Sequence, residues 1–484
     1  MSRWIEYGFA FVGITMLLTA GVLAVVGSGS STRRITTTDH DKFSFNPPVP
    51  REYTFNADPT EYSNGTAYVD EKQFRTIQQA LTAAEPNDTV RLKGWFNATP
   101  VVNTTGITVT SVAGHRAVIN GSAEGNVLTI NAANVTIAHL WIRNSGYHPA
   151  KNDAAIWVDG DGTRVVNVRL TEFTFGIWLN GVSGAYIANN TIVGRERIHP
   201  LTMRGNGIQV WKTTDSVIAH NRITDVRDGV YYSFASHVTE RYNILWDLRY
   251  GTHYMYSDDC TLRKNIAFNN DVGWALMVSN HLRIINNVAF NNTGRSGHGI
   301  LMKAIDHSII RGNTVVANKN GFYIYNSINS TVTKNLILAN TVGINFQAGN
   351  RRTQIVSNTF ARNDQEVHIV VSRLLAWNTS HYGNYWGKAR TVDINGDGIS
   401  ELRYRPAGLV QDLIQDHPQI IIFARSPAFD AIRRAQKSFP VITSDGVVDY
   451  YPLSTPTMPW RRWYRDGQQW TWWRNWEPKD GENI

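Results

Sequence analysis

At 484 residues the chain can bury a large core, either in several domains or in one elongated repeat body. Charged residues make up only 18% while aromatics reach 11% and glycines number 38, a profile that points away from a helical bundle and towards an all-β chain rich in turns. The net charge of +8 is modest for this length and lies partly in an Arg-rich C-terminal tail, so no nucleic-acid partner is expected, and a single cysteine, Cys260, rules out an internal disulfide.

Residues 1–32 open the chain with YGFAFVGITMLLTAGVLAVVG, and no charge occurs from Tyr7 to Thr32. The run is long enough to cross a bilayer as a helix, which favours an uncleaved membrane anchor over a shorter signal segment. Either reading leaves the bulk of the chain attached to, or exported across, a membrane, and Arg3 on one flank against Arg33–Arg34 on the other leaves the orientation open. Residues 33–70, with NPPVP, lack apolar periodicity and read as a linker.

A repeat body is expected over 71–375. It starts with QFRTIQQALTAAEPNDTVRL, where Ile77, Ala80, Leu81 and Ala84 share one helical face and Pro86 ends the helix before a strand at Val90. That helix suits the cap of an open coil. Then Asn recurs at Asn221, Asn243, Asn265, Asn287, Asn313, Asn335 and Asn358, and Gly at Gly207, Gly229, Gly251, Gly273, Gly299, Gly321 and Gly343. The step is 22 residues almost throughout, with a longer one where GRSG is inserted. Short β-rich units at this period specify a right-handed parallel β-helix, a pectate-lyase-like solenoid of 22-residue coils. The Asn column is assigned to left-handed corner positions, each amide bonding to the one a coil above.

Counted from each Gly, the first and third residues that follow are mostly apolar and face the core; the second and fourth face outward. The outward set runs Gln209, Tyr231, His253, Ala275, Leu301, Tyr323, and Trp211, Ser233, Met255, Met277, Lys303, Tyr325. Met255 and Met277 are therefore expected to stack on the exterior beside His253. Insertions before Gly207 and Gly299 carry His199, Met203 and His298 towards one edge of the same face. Thioether sulfur with imidazole selects copper, above all Cu(I), over zinc or calcium. An apolar docking patch for a partner protein is the competing reading.

Eight residues after each Gly stand Asp215, His237, Asp259, His281, His307 and Asn329. They resemble a metal ladder but occupy a corner, where these residue types accept turn geometry. Asp258–Asp259 and Gly297-His298-Gly299 echo fragments of polygalacturonases, so a polysaccharide-acting lyase, hydrolase or epimerase is the alternative function. The flanking Asn-x-Asp and Arg-x-Lys elements of that chemistry are missing, and consecutive aspartates in a strand point different ways.

Residues 376–455 read as a C-terminal capping region. In DINGDGISE, Asp393, Asn395 and Asp397 take positions 1, 3 and 5 of a calcium loop, with Glu401 at position 9 and Tyr404 where the bidentate Glu belongs. Structural calcium and a self-stabilised Asx turn both fit. Ser426 and Pro427 mark a helix start. The tail, 456–484, interleaves Arg with Trp460, Trp463, Trp470, Trp472, Trp473 and Trp476, which suits a membrane interface or partner docking on the one hand and a strap along the β-helix on the other.

LRYGTHYMYSDD, GNGIQVW, RDGVYYSF, GNYWG, DINGDGISELRYRP, RSPAFDAIRRAQKSFPV and GVVDYYPL, lying between Asn206 and Leu453, resemble the nitrous oxide reductase maturation proteins of the NosD type. The resemblance implies a non-enzymatic, periplasmic or cell-surface protein that works with an ABC-type ATPase and permease and a copper chaperone lipoprotein. Together these assemble the copper–sulfur centre of nitrous oxide reductase in denitrification. The tie to copper strengthens the metal reading of His253, Met255 and Met277. The long N-terminal anchor and the Trp-rich tail depart from the family pattern and leave room for another client enzyme.

Overall fold

The computed structural model describes residues 64–195, 201–370, 374–406 and 446–461, with isolated positions between 419 and 432. The expected anchor over 1–32 and most of the linker lie outside the described residues. Among the described residues no helix is long and apolar enough to cross a membrane.

The 22-residue step becomes a coil that lays one strand in each of three sheets, of 14, 13 and 12 strands among the described residues. Successive coils pair in parallel register. Five neighbouring strands of the 12-stranded sheet form the face on which the candidate site lies: β1 (Ile208–Trp211), β2 (Asp228–Ser233), β3 (Tyr250–Met255), β4 (Val272–Asn280) and β5 (His298–Asp306). Strand alternation sends Ile208, Val230, Thr252, Trp274 and Ile300 into the core, together with Val210, Tyr232, Tyr254, Leu276 and Met302, every one of them fully buried. The inward and outward assignment made from the sequence holds.

Helix α1 (Ile77–Ala83) covers the first coil, with Ile77, Ala80 and Leu81 buried and Thr76 Oγ1 accepting the Gln79 amide at 3.2 Å. The linker ends sooner than expected. Thr66–Val69 is already a strand, antiparallel to Lys72–Phe74 and Thr89–Lys93, because Ala67 and Val69 are buried by alternation. At the far end Ser426 Oγ accepts the Phe429 amide at 3.4 Å, at the expected helix start.

The Asn column forms the amide ladder expected of it but does not hold the left-handed corner. The left-handed residues are those just before it, among them Asn189, His220, Tyr242, Lys264 and Lys334, with φ of 53–58°. Asn190, Asn221, Asn243, Asn265, Asn287, Asn313, Asn335, Asn358 and Asn384 are buried and form a ladder in which each Nδ2 donates to the next Oδ1 at 2.9–3.1 Å. The same Oδ1 takes the backbone N–H of the preceding Asn, for example Asn243 N to Asn265 Oδ1 at 2.8 Å. Buried backbone donors at the corner need such acceptors, since leaving one unpaired costs about 1–3 kcal/mol. A second ladder, Asn270, Asn292, Asn318, Asn340 and Asn363, does the same at another corner and was missed.

Candidate functional site

Met255 and Met277 are direct register partners on β3 and β4, as the period requires, and both are half-buried. His253 lies two residues before Met255 on the same outward side. At about 3.3 Å per residue and 4.8 Å between strands, its Cα stands about 7 Å from that of Met255 and about 8 Å from that of Met277.

His253 is not the exposed imidazole expected. It is only 7% accessible, because Tyr231 and Tyr250 set their rings edge-on to it at 4.7 and 5.0 Å. Its Nδ1 lies 3.1 Å from Oδ2 of Asp228, a fully buried carboxylate. Arg249 grips Asp228 with both Nε, at 2.8 Å from Oδ1, and Nη2, on Oδ2, while its guanidinium lies over the Tyr250 ring at 4.4 Å. Burial alone would raise the Asp228 pKa, but the bonds from His253 and Arg249 and the guanidinium charge win and bring it to about 2. The other ring nitrogen, His253 Nε2, is buried and has no hydrogen-bond partner among the described residues. A buried polar atom left so costs about 1–3 kcal/mol.

Asp228 and Arg249 were missed. Asp228 precedes Gly229 and reads as a turn residue; the signal for it was the 22-residue register, which sets Tyr250, and with it Arg249, one coil along. On the outer face beyond β3, Tyr250, Val272, Ala275, Met277, Leu301 and Tyr323 pack into a small apolar cluster. Met277 therefore serves packing as well as any ligand role.

The other expected donors are not drawn in. His199 lies outside the described residues. Met203 sits on a single 3-10 turn, Leu201–Met203, and is 52% exposed. His298 aligns with Val272 and Asn320, two strands and three residues from His253, which is about 14 Å away. It is buried, stacked on Tyr323 at 4.6 Å and bonded through Nδ1 to Asn320 at 3.1 Å. Burial lowers its pKa to about 4.

Among the described residues no three or more His, Cys, Asp or Glu side chains converge as a metal site. The Asp215, His237, Asp259, His281, His307 and Asn329 column has φ of 50–56°, so corner geometry accounts for its composition. In the calcium-like loop, Asp393 accepts the amides of Gly396 and Gly398, Asp397 that of Ile399, and Glu401 that of Ile394, at 2.8–3.2 Å. Its oxygens are occupied by the loop itself. Asp258 Oδ1 accepts the Asn280 amide at 2.7 Å while Asp259 turns out at the corner, so the two carboxylates do not face a common bond. Trp460 packs with Met458 and Trp246 against the apolar outer face of the 13-stranded sheet, as a strap would, and Trp463, Trp470, Trp472, Trp473 and Trp476 lie outside the described residues.

Residues 188–391 match the family model described as "Periplasmic copper-binding protein (NosD)". A curated relative from Pseudomonas aeruginosa, "Probable ABC transporter binding protein NosD", is 35% identical over 351 residues, which cover 69% of this chain and 81% of the relative. Its namesake from Stutzerimonas stutzeri is 33% identical over 354 residues, covering 70% and 80%. Among solved structures, an alginate lyase from Paenibacillus aligns with 17% identity and a TM-score of 0.38 over 54% of this chain and 91% of the lyase. The surface adhesin PfbA of Streptococcus pneumoniae aligns with 10% identity and a TM-score of 0.47 over 60% and 86%.

Proposed function

The chain belongs to the NosD family, and from that premise we propose that it is an extracytoplasmic accessory factor, not an enzyme, that works with an ABC transporter in assembling the copper–sulfur centre of nitrous oxide reductase. Its partners in this reading are an ABC-type ATPase and permease, a copper chaperone lipoprotein, and the reductase itself, with the N-terminal segment as membrane anchor. Copper is cargo here, held as Cu(I) on the outer face of β3 and β4.

The observation that carries the reading is the bare His253 Nε2 beside the in-register pair Met255 and Met277. One imidazole and two thioethers form a soft, low-charge donor set suited to Cu(I), and not to calcium or magnesium. Because the Tyr231 and Tyr250 rings cover the buried imidazole, loading in this reading requires one of these half-buried rings to swing aside.

The test is a Cu(I) titration of the purified protein under reducing conditions, against a variant with His253→Ala, Met255→Leu and Met277→Leu. The variant loses the tight site; equal binding by both proteins overturns the copper assignment. In cells, deletion of the chain yields reductase without its copper–sulfur centre, and the parent but not the triple variant restores it. Release of reducing ends or unsaturated sugars from acidic polysaccharides would overturn the non-enzymatic reading.

A further inference from the structure

We propose that Asp228 is a positioning residue that fixes the tautomer of His253, so that Cu(I) is taken by Nε2, with Arg249 clamping Asp228 for this task. The inference rests on the copper reading of this face and names the atom and the supporting shell within it.

The geometry permits one proton arrangement for a neutral ring. A carboxylate only accepts, so the His253 nitrogen 3.1 Å from Asp228 Oδ2 carries the hydrogen, and that nitrogen is Nδ1. Nε2 is left as a bare lone pair. Arg249 donates to both Asp228 oxygens, and Asp228 is wholly buried, so the carboxylate cannot turn away from the imidazole. The guanidinium is in turn seated over Tyr250, whose ring also meets the His253 ring edge-on. Ring plane, tautomer and ligand atom are thus set before any ion arrives. Carboxylate support of a ligating imidazole typically changes metal affinity 10–100-fold.

The first measurement needs no variant. Nitrogen-15 histidine spectra of the metal-free protein show the Nδ1–H tautomer at His253; finding Nε2–H there overturns the proposal. The second is Asp228→Asn, whose amide can donate to Nδ1 and so favour Nε2–H. It lowers Cu(I) affinity 10–100-fold and shifts the His253 tautomer, while Asp228→Glu recovers a part of the affinity. A folded Asp228→Asn protein that binds Cu(I) as the parent does, with the parent tautomer, also overturns it. The two readings fail separately. If replacing His253, Met255 and Met277 leaves Cu(I) binding intact, the site itself is wrong; if that variant loses copper while Asp228→Asn keeps it, only the role of Asp228 falls.

Discussion

Replacing Glu240 by Gln tests an inward-facing carboxyl that the repeat leaves among hydrocarbon. Its register neighbours are Ile218 and Leu262, and it is fully buried. Burial raises its pKa from 4.5 to about 8, although Thr252 Oγ1 and the Tyr232 hydroxyl donate to it at 2.9 and 3.1 Å. Between those two values the folded chain holds a proton that the unfolded chain has released. Stability is therefore undiminished below pH 4.5, falls as pH rises, and levels off above pH 8. The interval, at about 1.4 kcal/mol per pH unit, comes to about 5 kcal/mol in all and about 3.5 kcal/mol by pH 7. Gln mimics the neutral acid and does not titrate, so the variant gains on the parent by these amounts as pH rises. Burial raises Glu366 and Asp449 as well, but taking the difference between parent and variant cancels them. Urea unfolding at steps from pH 5 to 9, followed by fluorescence, reads that difference. Parallel curves for the two proteins would refute the reasoning.

His298 gives the opposite slope. Its pKa falls from 6.5 to about 4, so the unfolded chain binds the extra proton and stability is lost as pH drops through that window, by up to about 3.5 kcal/mol; His298→Gln should flatten urea midpoints between pH 6.5 and 4. Asn265→Ala removes the acceptor of the Asn243 amide and breaks the ladder on both sides, costing about 2–4 kcal/mol, with faster hydrogen exchange at the Asn243 amide as the local signature. Trp460→Ala uncovers part of the face formed with Trp246 and costs about 1–2 kcal/mol, read as a lower urea midpoint and earlier proteolysis in the tail. Chelating calcium leaves thermal unfolding unchanged, because the oxygens of Asp393, Asp397 and Glu401 already accept loop amides; a clear drop in melting temperature on chelation would contradict this.

The fold was legible because a solenoid writes its geometry into a period. Gly at 22-residue steps placed Ile208, Val230 and Thr252 in one inward column, and alternation then assigned both faces without reference to distant contacts. What escaped depends on neighbours a coil away. The Asn residues were given corner geometry, whereas the residue before each of them turns the chain and the Asn amide satisfies buried backbone groups. His253 was placed on the correct side but not at the correct depth, since its cover comes from Tyr231 on the previous coil and from Tyr250. Asp228 was invisible as a site residue because the charge that holds it, Arg249, is 21 positions on.

β3 is where the repeat departs from its own rules on both faces. On the inner side Thr252 bonds to Glu240, which stands where Ile218 and Leu262 stand in the coils before and after, and Tyr232 and Tyr254 stack at 4.3 Å beside it. On the outer side His253 bonds to buried Asp228. At the end of the strand Phe234 and Tyr256 hold left-handed φ of 56° and 52°, stacked at 5.2 Å and half-exposed, where bulky side chains gain little from burial. Each departure costs stability that an Ile, an Ala or an Asn at the same position would not. Local rules broken together at one place are the pattern that functional sites show in other proteins, and here they coincide with the strand that carries the proposed site. Thr252 and His253 are consecutive on β3, so any displacement of the strand that moves the imidazole also strains the hydroxyl bond to Glu240. Glu240→Leu, which deletes the inner bonds while leaving every outward side chain in place, should change Cu(I) uptake; uptake identical to that of the parent would show that the two faces act independently.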